Sequence, residues 1–164
     1  MEALVTNKSI FIFLLLFNNL VCAELISGRV VAISDGDTIT VLDRSNTPHK
    51  IRLMGIDAPE KSQSYGNISK SNLSNLIYLK SVEVVWEKRD RYNRIIGKVN
   101  LNNIDICLQQ IKSGFAWHYK KYAYEQDSAD RTLYSEAENS AKLSKLGLWK
   151  DMNPVPPWEF RHKK

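Results

Sequence analysis

Three short β-rich runs follow one another along residues 28–56, with turns between them too short to hold a crossover. Gly28–Ile33 reads GRVVAI, Thr38–Leu42 reads TITVL, and His49–Ile56 reads HKIRLMGI. β-Branched residues dominate, and apolar and polar positions alternate, as in strands with one buried face. Ser34-Asp35-Gly36-Asp37 joins the first two runs, and Asp43 to Pro48 joins the second to the third. Connections this tight allow only antiparallel neighbours, so the segment is expected to form a three-stranded meander.

The period then changes. Ile68, Leu73, Leu76, Ile77 and Leu79 place an apolar face on a helix over Tyr65–Lys80, although its Ser and Asn residues weaken it. Val82–Trp86 and Ile95–Leu101 read as fourth and fifth strands joined by EKRDRYNR. Ile104, Leu108 and Ile111 mark a short helix closed by Gly114, and Ala129, Leu133, Ala137 and Ala141 mark a longer one over Glu125–Leu146, stopped by Gly147. The tail, about residues 150–164, is rich in Pro and aromatics and is expected to be extended and partly packed through Trp158 and Phe160. Three strands, a helix, two strands and two helices make an α+β chain. Its order is that of a five-stranded oligonucleotide-binding barrel with three helices. The alternative is another small α+β domain.

The N-terminus stands apart. Lys8 precedes the apolar run Ile10–Leu16, and Val21-Cys22-Ala23 supplies small residues before a cut, so residues 1–23 read as a signal peptide. The run falls short of the roughly 20 residues that span a bilayer. The expected product is exported, to a periplasm or fully secreted, with no stable membrane association. Cleavage after Ala23 leaves 24–164, a single domain of about 140 residues, enough to bury a core. Cys107 is then the one remaining cysteine, so packing or a bound ion replaces a disulfide. Its neighbours Ile104, Ile106 and Leu108 mark it as a buried apolar residue. A net charge of +5 favours an anionic partner. The chain is expected to act as a monomer.

The residues able to do chemistry cluster at strand ends. Asp35-Gly36-Asp37 sets two carboxylates around a glycine; read alone, it is an ordinary hairpin turn. It is not an EF-hand loop, because Asn46 occupies the place of the bidentate glutamate. Asp57-Ala58-Pro59-Glu60 ends the third run, and Pro59 holds Ala58 extended, which can turn its carbonyl outward. Strand pairing would bring Asp37 and Asp57 together. Two carboxylates, the Ala58 carbonyl and water form an all-oxygen set suited to Ca²⁺, and the chain has no His/Cys cluster for zinc. Arg52 lies on the same strand as Asp57, and Arg94 closes Asp90-Arg91-Tyr92-Asn93-Arg94. Two guanidinium groups facing a metal would clamp a phosphate. Glu60 would orient or deprotonate water. Each residue alone also has a plain reading as a surface charge or a structural ion pair.

Taken together, DGDT, IRLMGIDAPE and DRYNR resemble the thermonuclease family of staphylococcal-nuclease-like secreted endonucleases. The resemblance runs from about Ser27 to Trp149. It implies the five-stranded barrel and calcium-dependent cleavage of DNA and RNA without sugar specificity, leaving 3′-phosphate products. By this resemblance Asp37, Asp57 and the Ala58 carbonyl match the calcium ligands, Glu60 the catalytic glutamate, and Arg52 and Arg94 the catalytic arginines. Ala58 replaces a threonine that acts through its backbone. Asn93 replaces a glycine, and asparagine is well suited to a positive φ there. The family's nucleotide-pocket tyrosines do not align cleanly: Trp117, His118, Tyr119, Tyr122 and Tyr124 crowd the segment. One or two of Tyr119, Tyr122 and Tyr124 are candidates to stack on a base, and packing is the competing role. His118 has no visible partner in sequence and is left outside the mechanism. Lys88, Arg89, Arg91, Lys98, Lys120 and Lys121 are candidates to track a nucleic-acid backbone. The sequons at Asn67 and Asn72 are read as incidental. The competing function is a non-catalytic barrel that binds nucleic acid or protein.

Overall fold

The computed structural model describes residues 23–162; the expected signal segment up to Cys22 lies outside the described residues. Among the described residues there are eight strands and four α-helices, of which five strands and three helices stand in the expected order. β1 (Glu24–Ile33), β2 (Thr38–Asp43) and β3 (Pro48–Leu53) form the antiparallel meander. β4 (Ile56–Asp57), α1 (Gly66–Ile77), β5 (Ser81–Arg89) and β6 (Ile95–Leu101) follow. β7 (Ile104–Asp105), α2 (Ile106–Lys112), β8 (Trp117–His118), α3 (Ser128–Leu143) and α4 (Pro157–His162) complete the chain.

The sheet runs β3-β2-β1-β5-β6, and β3 pairs in parallel with β6, which closes a five-stranded barrel. Closure removes the exposed edges an open sheet would leave. Bulges between Val30 and Ala32 and between Trp86 and Lys88 supply the extra bend that closure demands. Alternation in sequence becomes alternation of burial: along β5, Val82 and Val84 point inward while Ser81, Glu83 and Val85 face out. The interior joins Val30, Ile39, Val41, Ile51, Leu53, Val84, Ile95 and Val99 to Leu73 and Ile77 of α1, Ile106, Cys107 and Ile111 of α2, and Tyr134 of α3. Cys107 is fully buried, as expected, and burial drives its thiol far above the ordinary range.

Several expected boundaries shift. The His49–Ile56 run is two strands, because Met54-Gly55 breaks it: Gly55 takes φ +73° and lets the chain turn away from the barrel toward β8. The Tyr65–Lys80 helix shortens to Gly66–Ile77; Ile68 faces solvent, and Leu79, beyond its end, takes φ +61°. The Glu125–Leu146 helix shortens to Ser128–Leu143. Asp127 accepts from the amides of Ala129 and Asp130 and fixes its start, and Lys145 at φ +50° lies beyond its end. Its buried stripe is Tyr134, Ala137, Glu138 and Ala141, so Ala129 and Leu133, counted on the apolar face, are exposed. The tail is not simply extended. Residues 157–162 form α4, packed through Trp158 onto a second cluster of Trp117, Ala141, Leu148 and Trp149.

Candidate active site

The β2–β3 ladder opposes Thr38 to Arg52, and the Leu53 amide donates to the Asp37 carbonyl at 2.8 Å, so the acidic turn sits beside Arg52. The turn is fixed from both sides. Asp35 Oδ1 accepts from the Asp37 amide at 3.1 Å, and the buried Gln110 of α2 donates to the Gly36 carbonyl at 2.7 Å. Gly36 is required for contact: a Cβ there would collide with Ser69 Oγ and lie 2.7 Å from Ala58 Cβ. On the other side, β4 pairs with β8, with Asp57 opposite Trp117.

These elements bring Asp37 and Asp57 onto one nitrogen. Arg52 Nη2 is 3.2 Å from Asp37 Oδ2 and 2.8 Å from Asp57 Oδ1. Arg52 Nη1 donates to the Leu53 carbonyl at 3.0 Å, which pins the guanidinium to its own strand. Asp37 Oδ2 also accepts from the Ala58 amide at 2.6 Å, so Ala58 meets Asp37 through its N–H. Asp37 and Asp57 are 6% and 1% exposed. Burial pushes the Asp37 carboxyl up to about 7; Arg52 opposes the rise, and the negative Asp35 and Asp57 add to it. Arg52 and Arg161 meet this acidic pair, and its donors are all oxygen, the kind a hard divalent cation takes. Among the described residues no three His, Cys, Asp or Glu side chains form a ready cage, so a cation here would draw on backbone oxygen or water as well.

Glu60 follows Pro59 at the rim, and its amide donates to Gln63 Oε1 at 3.1 Å. Arg161, from α4, joins Glu60 to Asp57: Nη1 is 2.8 Å from Glu60 Oε1, and Nη2 is 2.8 Å from Asp57 Oδ2. Arg94 stands where the parallel pairing of β3 and β6 begins, one residue before Ile95, which opposes Ile51. Its Nε and Nη2 each lie 2.7 Å from Asp90 Oδ2. Asn93 takes φ +61°, the conformation expected of it. Arg52, Asp57, Glu60, Arg94 and Arg161 line a single cleft of about 1260 Å³.

A family model described as staphylococcal nuclease homologue matches residues 50–151. A protein of Escherichia coli named as an uncharacterized endonuclease is 44% identical over 144 residues, spanning 87% of this chain and 89% of the relative. One of Haemophilus influenzae with the same name is 42% identical, spanning 82% and 72%. A Shigella flexneri protein named micrococcal nuclease is 37% identical, spanning 82% and 79%.

The chain belongs to the staphylococcal nuclease family.

Within this nuclease-family barrel, much of the expected basic track is already engaged. Lys88 pairs with Glu125, Lys98 with Asp105 and Asp130, and Lys120 with Glu138. His118 has a partner after all. Its Nε2 lies 2.9 Å from Gln126 Oε1, within hydrogen-bond distance. Burial holds the ring's pKa below its usual value, so it serves as a neutral packing residue. Tyr119 stacks on Trp158 at 5.5 Å with planes 9° apart, and meets Tyr122 edge-on. Asn72 donates to Gln110, so the second sequon's side chain is committed inside the molecule. Sequence reasoning missed Arg161, Asp90, Gln110 and the buried Glu138. Asp90 alone carried a local sign, four residues before Arg94 within the quoted motif.

Proposed function

We propose that this chain is an exported, calcium-dependent endonuclease that hydrolyses DNA and RNA without sugar specificity and leaves 3′-phosphate ends. That it is a nuclease, a hydrolase of phosphodiester bonds, follows from its family and from relatives named endonuclease and micrococcal nuclease. No helix among the described residues is long and apolar enough to cross a membrane, which is compatible with export.

The observation that carries the reading is the convergence of Asp37 and Asp57 on Arg52 Nη2, with Glu60 on the same rim. In this proposal Asp37, Asp57 and the Ala58 carbonyl would hold Ca²⁺, which would supply positive charge to a phosphate bound in the cleft. Arg52 and Arg94 donate to the phosphate oxygens, where charge grows as water attacks, so their contribution is greatest in the transition state. Arg52 is preorganised for this by its ties to Leu53, Asp37 and Asp57. Glu60 accepts a hydrogen bond or a proton from the attacking water, and the bond to the 5′ oxygen breaks. Tyr119 is the best placed of the three tyrosines to stack on a base, because it lines the cleft beside Asp57's partner strand.

The test is polymeric DNA incubated with Ca²⁺ or with a chelator, with binding measured in parallel. Calcium-dependent loss of polymer is expected. Binding without loss would replace the enzyme by a nucleic-acid-binding module.

A further inference from the structure

The C-terminal segment crosses the mouth of the proposed site and touches its most important groups. The Val155 carbonyl accepts from Gln63 Nε2 at 2.6 Å, and Pro157 is buried. Trp158 then stacks on Tyr119 at 5.5 Å and meets Trp117 edge-on at 5.6 Å. One helical turn later, Arg161 reaches the carboxylates. Nη2 lies 2.8 Å from Asp57 Oδ2, and Nη1 lies 3.2 Å from Asp57 Oδ1 and 2.8 Å from Glu60 Oε1.

The two arginines on Asp57 are not equivalent. Arg52 belongs to a barrel strand, is 14% exposed and shares Asp57 Oδ1. Arg161 belongs to a six-residue helix, is 41% exposed and takes Asp57 Oδ2, the oxygen Arg52 does not hold. A divalent ion on Asp57 needs a carboxylate oxygen that Arg52 does not already hold, and that oxygen, Oδ2, is the one Arg161 engages. A guanidinium and a divalent cation on one carboxylate repel each other strongly in a half-buried site. The same segment lays its indole over Tyr119, the aromatic face proposed for a base.

We propose that residues 155–162 are an internal strap that competes with the divalent ion: Arg161 and the ion exchange on Asp57, so ion binding releases the strap and docking of the strap weakens ion binding. The inference rests on the assignment of Asp37 and Asp57 as ion ligands. By linkage, each event opposes the other by the same factor. The strap makes the cleft self-restrained at low calcium and opens both the acidic pair and the Tyr119 face when calcium rises. Removing the strap then raises apparent calcium affinity by the reciprocal of the undocked fraction, ~10-fold for a strap docked about 90% of the time.

The experiment is calorimetric titration of the full chain, Arg161→Met, Trp158→Ala and Asp57→Asn with Ca²⁺, alongside hydrogen exchange of residues 155–162. Arg161→Met removes the competing charge, and Trp158→Ala loosens the strap while keeping that charge. Both are expected to bind Ca²⁺ ~10-fold more tightly than wild type. In the wild-type protein, saturating Ca²⁺ is expected to speed exchange at the Glu159 and Phe160 amides, which donate to the Pro156 carbonyl. Calcium binding that Asp57→Asn abolishes, with unchanged affinity in both other variants and unchanged exchange, would overturn the strap and leave the ion assignment standing. Tightening in Arg161→Met alone, with exchange unchanged, would reduce the effect to net charge and also overturn it. No calcium binding by any of the proteins would remove the ion assignment and the strap together.

Discussion

Glu138 offers a perturbation whose size and pH dependence both follow from its contacts. Its side chain is 1% exposed on α3. Oε1 accepts from the His118 amide at 3.1 Å, and Oε2 accepts from Lys120 and Lys142, each at 2.8 Å. It therefore ties α3 to β8, the strand that pairs with Asp57's strand. Glu138→Gln keeps an acceptor for His118 and removes both ion pairs. A hydrogen bond to a charged group is worth about 1.5–3 kcal/mol when shielded, but Lys120 and Lys142 are 58% and 37% exposed, so screening cuts each pair toward ~0.5–1 kcal/mol. The expected loss is about 1–2 kcal/mol at pH 7. Burial alone would raise the Glu138 pKa; the hydrogen bonds from Lys120 and Lys142 outweigh it and hold the pKa below the ordinary value. A lowered carboxylate stabilises the fold above its unfolded pKa, about 4.3, and that contribution is lost as pH falls through the folded pKa. The gap between wild type and variant should be full at pH 7 and shrink below about pH 4.3. Urea unfolding followed by tryptophan fluorescence reads both. A gap that stays constant from neutral to acid pH, or no gap at pH 7, would refute the reasoning.

Three further outcomes are expected. Glu60→Gln should cut turnover on DNA by ~10²–10⁴-fold with little change in DNA affinity, and equal losses in both would remove Glu60 from the chemistry. Arg52→Met should cost about 3 kcal/mol of stability as well as activity, since it strips two buried carboxylates of a shared partner; Arg94→Met, which removes only a rim pair with Asp90, should cost no more than ~1 kcal/mol and still lose activity. Gly36→Ala should destabilise by about 1–3 kcal/mol and lower the rate ~10²-fold, because its Cβ would force the Asp37 turn away from Ser69 and Ala58; an unchanged melting temperature would show that the turn moves freely.

The sequence carried the barrel because its strands are short, alternating and joined by tight turns, and those are local properties. It carried the approach of Asp37 to Arg52 for the same reason: a meander leaves few ways to pair β2 and β3, and the acidic turn lies at the end of that pairing. Asn93 was legible because a positive φ selects few residue types. The helix ends were misplaced where a cap outweighed an apolar repeat, as Asp127 does at α3. Leu133 fits the repeat and faces solvent, because Tyr134 beside it claims the core. Gln110 and Glu138 carried no local sign in sequence. Their partners, Gly36 and Ser69 for one and His118, Lys120 and Lys142 for the other, are set by tertiary folding. Arg161 was illegible in the same way. Nothing local in a Pro-rich tail indicates that its arginine returns about a hundred residues back along the chain to Asp57 and Glu60.

On the proposed function, Asp37, Asp57, Arg52, Arg94 and Glu60 act together in calcium-dependent phosphodiester cleavage. End-group analysis of DNA digested with Ca²⁺ tests it most directly. Products should carry 3′-phosphates and free 5′-hydroxyls, and should be absent with a chelator or with Asp57→Asn. Products bearing 5′-phosphates, or equal digestion with and without chelator, would contradict the account.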